Sequence, residues 1–275
     1  MNQAQRLPLI PVKWPVIESM VLSMRNVILT LVICCGVLLT TKSAAQEHNP
    51  EHHWDYGSTL GPGHWGELNP EFRPCSTGHR QSPIDIRDTT KVDLPKVVFE
   101  YKPSPLRIVD NGHTIMINYA PGSYLVVGNQ RYQLKQFHFH RPSEEKINGM
   151  GFDMSIHLVH DDGNGKLAVV AILLQAGHDN ALIQELWKHL PKDKAKEQVL
   201  DGVQIDLSLI LPEDRSYYTF AGSLTTPPCS ENVSWIVLKH PTTISPSEIE
   251  QFSHFYRNDA RPTQPLYGRS ILESK

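Results

Sequence analysis

The sequence predicts a single, mainly β domain: one large sheet with peripheral helices. Three observations lead there. Short apolar or alternating runs recur between Gly, Pro and Asn turns. One run, Leu167–Leu174, is apolar on both faces, as the central strand of a large sheet should be. Amphipathic helical patterns stand out only around Ile183–Leu190 and Ile249–Tyr256.

In chain order, the first feature is Met24-Arg25-Asn26, an apolar run from Val27 to Leu39, and the small residues Ser43-Ala44-Ala45. This is the layout of a secretory signal peptide occupying residues 1–45, cut most simply after Ala45, with Met20 or Met24 as alternative starts. The run is short for a membrane span, so no stable insertion is expected after cleavage; an uncleaved anchor is the alternative. Residues 46–53 are a polar lead-in, and 54–275 form the domain. Export removes Cys34 and Cys35 with the signal and leaves Cys75 and Cys229, whose simplest fate in an oxidising compartment is one disulfide. That compartment would be periplasmic, secreted or cell-surface. A formal charge of −3 without a basic run argues against a nucleic-acid partner.

Strands are expected over Val97–Tyr101, Thr114–Tyr119, Ser123–Val127 and Leu167–Leu174. Asn180 is placed to cap a helix whose Ile183, Leu186, Trp187 and Leu190 share a face. Ser245-Pro246-Ser247-Glu248 reads as a capping box with Pro in the first turn, leading into Ile249, Phe252 and Tyr256.

The chemistry concentrates in Gln136–His140 and Ser155–His160. On a strand, alternation puts His138 and His140 on one face and Phe137 and Phe139 on the other. The polar, Gly-containing stretch 141–151 reads as a hairpin loop that returns the second segment antiparallel. There Met154, Ile156 and Leu158 share the apolar face, so His157 rather than His160 joins the first pair. Three neutral imidazoles with an open fourth position suit a catalytic zinc. The bland alternative for His-x-His is packing. Thr225-Thr226-Pro227-Pro228 is a loop whose threonine could hold a nucleophile if Glu144 or Glu145 took its proton; the alternative is a rigid turn. Asp110-Asn111-Gly112-His113 is a turn that places a titratable His beside it.

With these residues in hand, the chain resembles the alpha-class carbonic anhydrases from about His53 to Ile271. The landmarks are His64-Trp65, Arg80–Ile86, Asn111-Gly112-His113, Gln136–His140, His157–His160, Ser223–Pro228, Trp235–Lys239 and Arg261–Leu266, in that order. The resemblance implies a large, mostly antiparallel twisted sheet, with 54–275 as the catalytic domain and zinc at the bottom of a conical cleft. It implies zinc ligands His138, His140 and His157, with His160 structural. It implies a gatekeeping Thr225 that gives its proton to Glu144, and a carbon dioxide pocket of Val159, Leu167, Val169, Leu224 and Trp235 with Thr226 on the substrate side. His113 falls on the proton-relay position, Tyr56 and Asn111 among residues ordering cleft water, and Gln136 beside a ligand histidine. A disulfide matching Cys75–Cys229 is common in exported members. The implied reaction is reversible hydration of carbon dioxide to bicarbonate and a proton, by attack of zinc-bound hydroxide, in a monomer or homodimer. A non-catalytic member would lack one or more of the zinc histidines.

Four positions depart from the family pattern. Ser155 replaces a glutamate that supports the third ligand histidine, and Glu145 stands where a histidine is common. Met116 replaces a polar cleft residue and Phe220 a tyrosine. Serine at 155 is short and neutral, so it bonds weakly, acts through a water, or leaves the task to another residue. The expectation is faster zinc release than in members with glutamate there, slowed by Ser155→Glu.

Overall fold

The computed structural model describes residues 53–275. The expected signal peptide, the alternative starts and all of the lead-in except His53 lie outside the described residues.

In chain order the strands begin β1 Asp85–Ile86, β2 Thr90–Val92, β3 Val97–Glu100, β4 Ser104–Asp110 and β5 Ile115–Asn118. They continue β6 Tyr124–Val127, β7 Gln130–His140, β8 Lys146–Ile147, β9 Met154–Asp161 and β10 Leu167–Ala176. The rest are β11 Gln198–Ile205, β12 Tyr217–Ser223, β13 Glu231–Leu238, β14 Thr242–Ile244 and β15 Leu272–Ser274. The helices are α1 Trp65–Leu68, α2 Pro74–Thr77, α3 Ala181–Trp187 and α4 Pro246–Ser253.

One 13-stranded sheet runs β11-β4-β5-β7-β9-β10-β13-β12-β15-β2, with β14 on β10 and β6 joining β3 to β7. Most pairings are antiparallel, but the sheet is mixed: β10 lies parallel to β13 and β14, and β15 parallel to β2. The all-apolar run occupies the middle as β10. Its Val170, Ile172 and Leu174 enter the larger core, while Val169, Ala171 and Leu173 enter a second cluster on the opposite face.

The larger core is closed by the two expected helices. Asn180 Oδ1 accepts from the amides of Leu182 and Ile183, and Ser245 with Glu248 makes a reciprocal capping box. Ile183, Leu186, Trp187 and Phe252 are buried against Phe137 and Phe139. The apolar side of the histidine strand therefore faces a packed core, and its other side carries His138 and His140. Strand β4, which the sequence reading passed over, pairs with β5 and makes Asp110–His113 the tip of a hairpin.

Candidate metal centre

Strand pairing assembles the three histidines. β7 and β9 run antiparallel with His138 directly opposite His157 and His140 opposite Ser155. Alternation turns all three imidazoles to one side, and their potential ligand nitrogens lie within 4.8 Å of one another. His160, out of phase, hydrogen-bonds Ala168 O through Nδ1 and the Tyr101 hydroxyl through Nε2, away from the group.

Each ring is held by its other nitrogen. His138 Nδ1 donates to Gln136 Oε1 at 2.8 Å, and His140 Nδ1 to the carbonyl of Asp259 at 2.8 Å. His157 Nε2 lies 3.2 Å from Glu145 Oε2 and 3.1 Å from Oε1. Because those partners accept, the protons sit on these nitrogens, leaving the lone pairs of His138 Nε2, His140 Nε2 and His157 Nδ1 to converge. His140 Nε2 is buried without a hydrogen bond. An orphaned buried acceptor among three like donors fits a metal ion, and imidazole nitrogen suits zinc.

Electrostatics act differently on the three rings. Burial, then His157, pushes His138 down to about 3, and burial holds His140 well below the ordinary histidine range. Burial also pulls His157 down, but the Glu145 charge and hydrogen bond, then Glu144, raise it overall.

Thr225 is buried in the loop after β12 and lies close enough to Glu144 to favour its charged form. Glu144 Oε1 accepts from the amide of Arg261 at 2.8 Å, and its Oε2 stands 3.7 Å from both His140 Nε2 and His157 Nδ1. Burial nonetheless lifts this carboxyl to about 7. The two glutamates are therefore divided: Glu144 turns to Thr225, and Glu145 to His157.

One side of the histidine group is apolar. Val169 stands between Val159 and Trp235 in the sheet register, and Leu167 and Leu224 pack against the same cluster. Trp235 lies edge-on to His157 with ring centres 4.9 Å apart, and the Phe220 ring lies parallel to that of Trp235 at 6.1 Å. Thr226 is half-buried beside Thr225, and Met116 pairs with His138 across β5 and β7. On the other side, Asn111 Oδ1 accepts from the amides of His113 and Thr114, so it shapes the turn that carries His113. The His113 ring stacks flat on Trp54, with centres 3.6 Å apart, and Trp54 also meets Tyr56. Tyr56 is half-buried near Glu144, Asp259 and Arg261, and burial raises its hydroxyl well above the usual value.

Cys75 and Cys229 form a disulfide. Such a bond points to an oxidising, exported compartment. Among the described residues no helix is long and apolar enough to cross a membrane.

The sequence assigned no part to Asp259 or Trp54, and Glu145 entered only as the alternative to Glu144 for the threonine proton and as a departure from the family pattern. Arg261 belonged to a quoted landmark without a role. Neighbouring letters hold no signal for Asp259, which acts through a backbone carbonyl.

The comparisons agree with this geometry. A family model described as eukaryotic-type carbonic anhydrase matches residues 60–275. A carbonic anhydrase of Nostoc sp. is 42% identical over 227 residues, covering 81% of this chain and 86% of its own. One from Neisseria gonorrhoeae is 42% identical over 239 residues, covering 86% and 94%. The solved alpha-carbonic anhydrase of Thermovibrio ammonificans, in complex with the inhibitor sulfanilamide, aligns at TM-score 0.78 and 40% identity, covering 80% of this chain and 99% of that one. The chain belongs to the alpha-class carbonic anhydrases. It is an enzyme of that family, a lyase acting on carbon dioxide.

Proposed function

We propose that this protein is a zinc-dependent carbonic anhydrase in which His138, His140 and His157 hold the metal and His113 relays the proton. The convergence of three lone pairs, each ring oriented by a separate acceptor, carries this reading. Zinc, when bound, supplies Lewis acidity that lets a water act as a nucleophile near neutral pH.

The chain's own residues do the rest. Thr225, giving its proton to Glu144, becomes an acceptor only and fixes the orientation of the attacking water. Val159, Leu167, Val169, Leu224 and Trp235 present an apolar wall suited to carbon dioxide, which has neither charge nor net dipole. Thr226 borders it on the substrate side. Addition of water to carbon dioxide yields bicarbonate and one proton, which leaves past Tyr56 and Asn111 toward His113. Exported location through residues 1–45 and the catalytic domain 54–275 belong to the same proposal.

Stopped-flow carbon dioxide hydration, with elemental analysis, tests it. One zinc per chain is expected, and activity should disappear with a chelator and return with zinc. His138→Ala, His140→Ala or His157→Ala should lose metal and activity together. A primary sulfonamide should inhibit, as sulfanilamide does the Thermovibrio relative. Full activity in zinc-free protein would overturn the reading.

A further inference from the structure

Two of the departures from the family pattern, Glu145 and Ser155, bear on one ligand histidine, His157. Ser155 is wholly buried and lies two residues before His157 on the same face of β9. It does not reach the His157 ring; its hydroxyl accepts from the amide of Glu144 at 3.4 Å. The carboxylate at His157 Nε2 comes instead from Glu145, also wholly buried, on the segment between β7 and β8.

That segment is fixed on three sides. Ser143 exchanges backbone and side-chain hydrogen bonds with Phe152, and its hydroxyl donates to the carbonyl of Glu145 at 3.0 Å. Immediately beyond, Lys146 and Ile147 pair with Asp85 and Ile86. Consecutive side chains thus bracket one imidazole: Glu145 at Nε2, and Glu144 3.7 Å from Nδ1.

We propose that Glu145 is the positioning residue for His157, so that the 141–147 loop, not position 155 of the strand, supplies the carboxylate that holds the third ligand. The inference rests on the metal reading above. A carboxylate on the distal nitrogen fixes a ligand ring and strengthens its donation, and losing it costs roughly 10–100-fold in metal affinity or activity. Ser155 is the complement of this arrangement. A glutamate there would add a third buried carboxylate to Glu144 and Glu145. The expectation of weakened zinc retention at Ser155 therefore gives way: the orienting charge is present, moved by one loop.

The test measures zinc release from the full, zinc-loaded chain into excess chelator. Glu145→Gln should release zinc about 10–100-fold faster, because an amide orients the ring without its charge. Ser155→Glu alone should not slow release. Glu145→His/Ser155→Glu, which returns both positions to the usual family residues, should restore release to within about threefold of wild type. Release from folded Glu145→Gln within about threefold of wild type would overturn the proposal. If Glu145→Gln does not fold, Glu145→His decides: it should release zinc about 10–100-fold faster than Glu145→His/Ser155→Glu, and equal release from those two would also overturn the proposal. Elemental analysis of wild type keeps the two readings apart, since a chain that binds no zinc defeats the metal assignment itself.

Discussion

At the scale of single residues, the pose of His113 decides how it can work. Its ring lies flat on Trp54, and burial, then His53 and Lys194, pushes it down to about 4. A relay is most effective when its pKa lies near the operating pH, so this stacked pose accepts a proton poorly at neutral pH. Trp54→Ala should raise the His113 pKa toward its ordinary value by removing the burying ring, as read by NMR titration. His113→Ala should slow turnover in weak buffer, with much of the loss recovered by added imidazole. Equal losses at every buffer concentration would mean that His113 is structural or that protons leave by another route.

At the scale of elements, the β9–β10 hairpin is tied through His160 to Tyr101, the residue that follows β3. Its Nδ1 donates to Ala168 O at 3.3 Å, leaving Nε2 to accept from Tyr101 at 2.8 Å. Tyr101→Phe strands a buried acceptor and should cost about 1–3 kcal/mol in chemical denaturation, with zinc release unchanged. Burial pushes His160 down from 6.5 to about 4. The native state thus refuses a proton that the unfolded chain binds. Its contribution to stability is present above about 6.5, shrinks as pH falls, and is gone below about 4. Stability curves should steepen across that window, and less so in His160→Gln.

At the scale of the whole molecule, distant segments are lashed around the cleft. The disulfide joins residues 154 positions apart and anchors the loop that carries Thr225. Arg261 donates through Nη2 to Cys75 O and through Nη1 to Gln81 Oε1 and Ser82 O, while its amide holds Glu144. Cys75→Ser should lower the melting temperature; loop-closure entropy sets an upper figure of about 4–5 kcal/mol. Two reactive thiols in the denatured mature protein would show that the bond does not form.

Alternation along two short segments was enough to select His138, His140 and His157 and to reject His160, because a strand's period of two is a local property. The caps at Asn180 and Ser245 and the double-sided strand β10 were legible for the same reason: propensity and pattern act within a few residues. The mixed pairing of the sheet was not, since β10 meets β13 through a long crossover that no local pattern encodes. Nor were the acceptors that orient two of the ligands. His140 reaches Asp259 across 119 positions, and Glu144 reaches Arg261 across 117. Glu145 lies only 12 residues from His157, yet choosing it over Ser155 depended on where the loop turns its side chains. Sequence alone determined which residues could bind a metal, and tertiary structure decided which groups hold them, because hydrogen-bond partners are assigned by packing rather than by order along the chain.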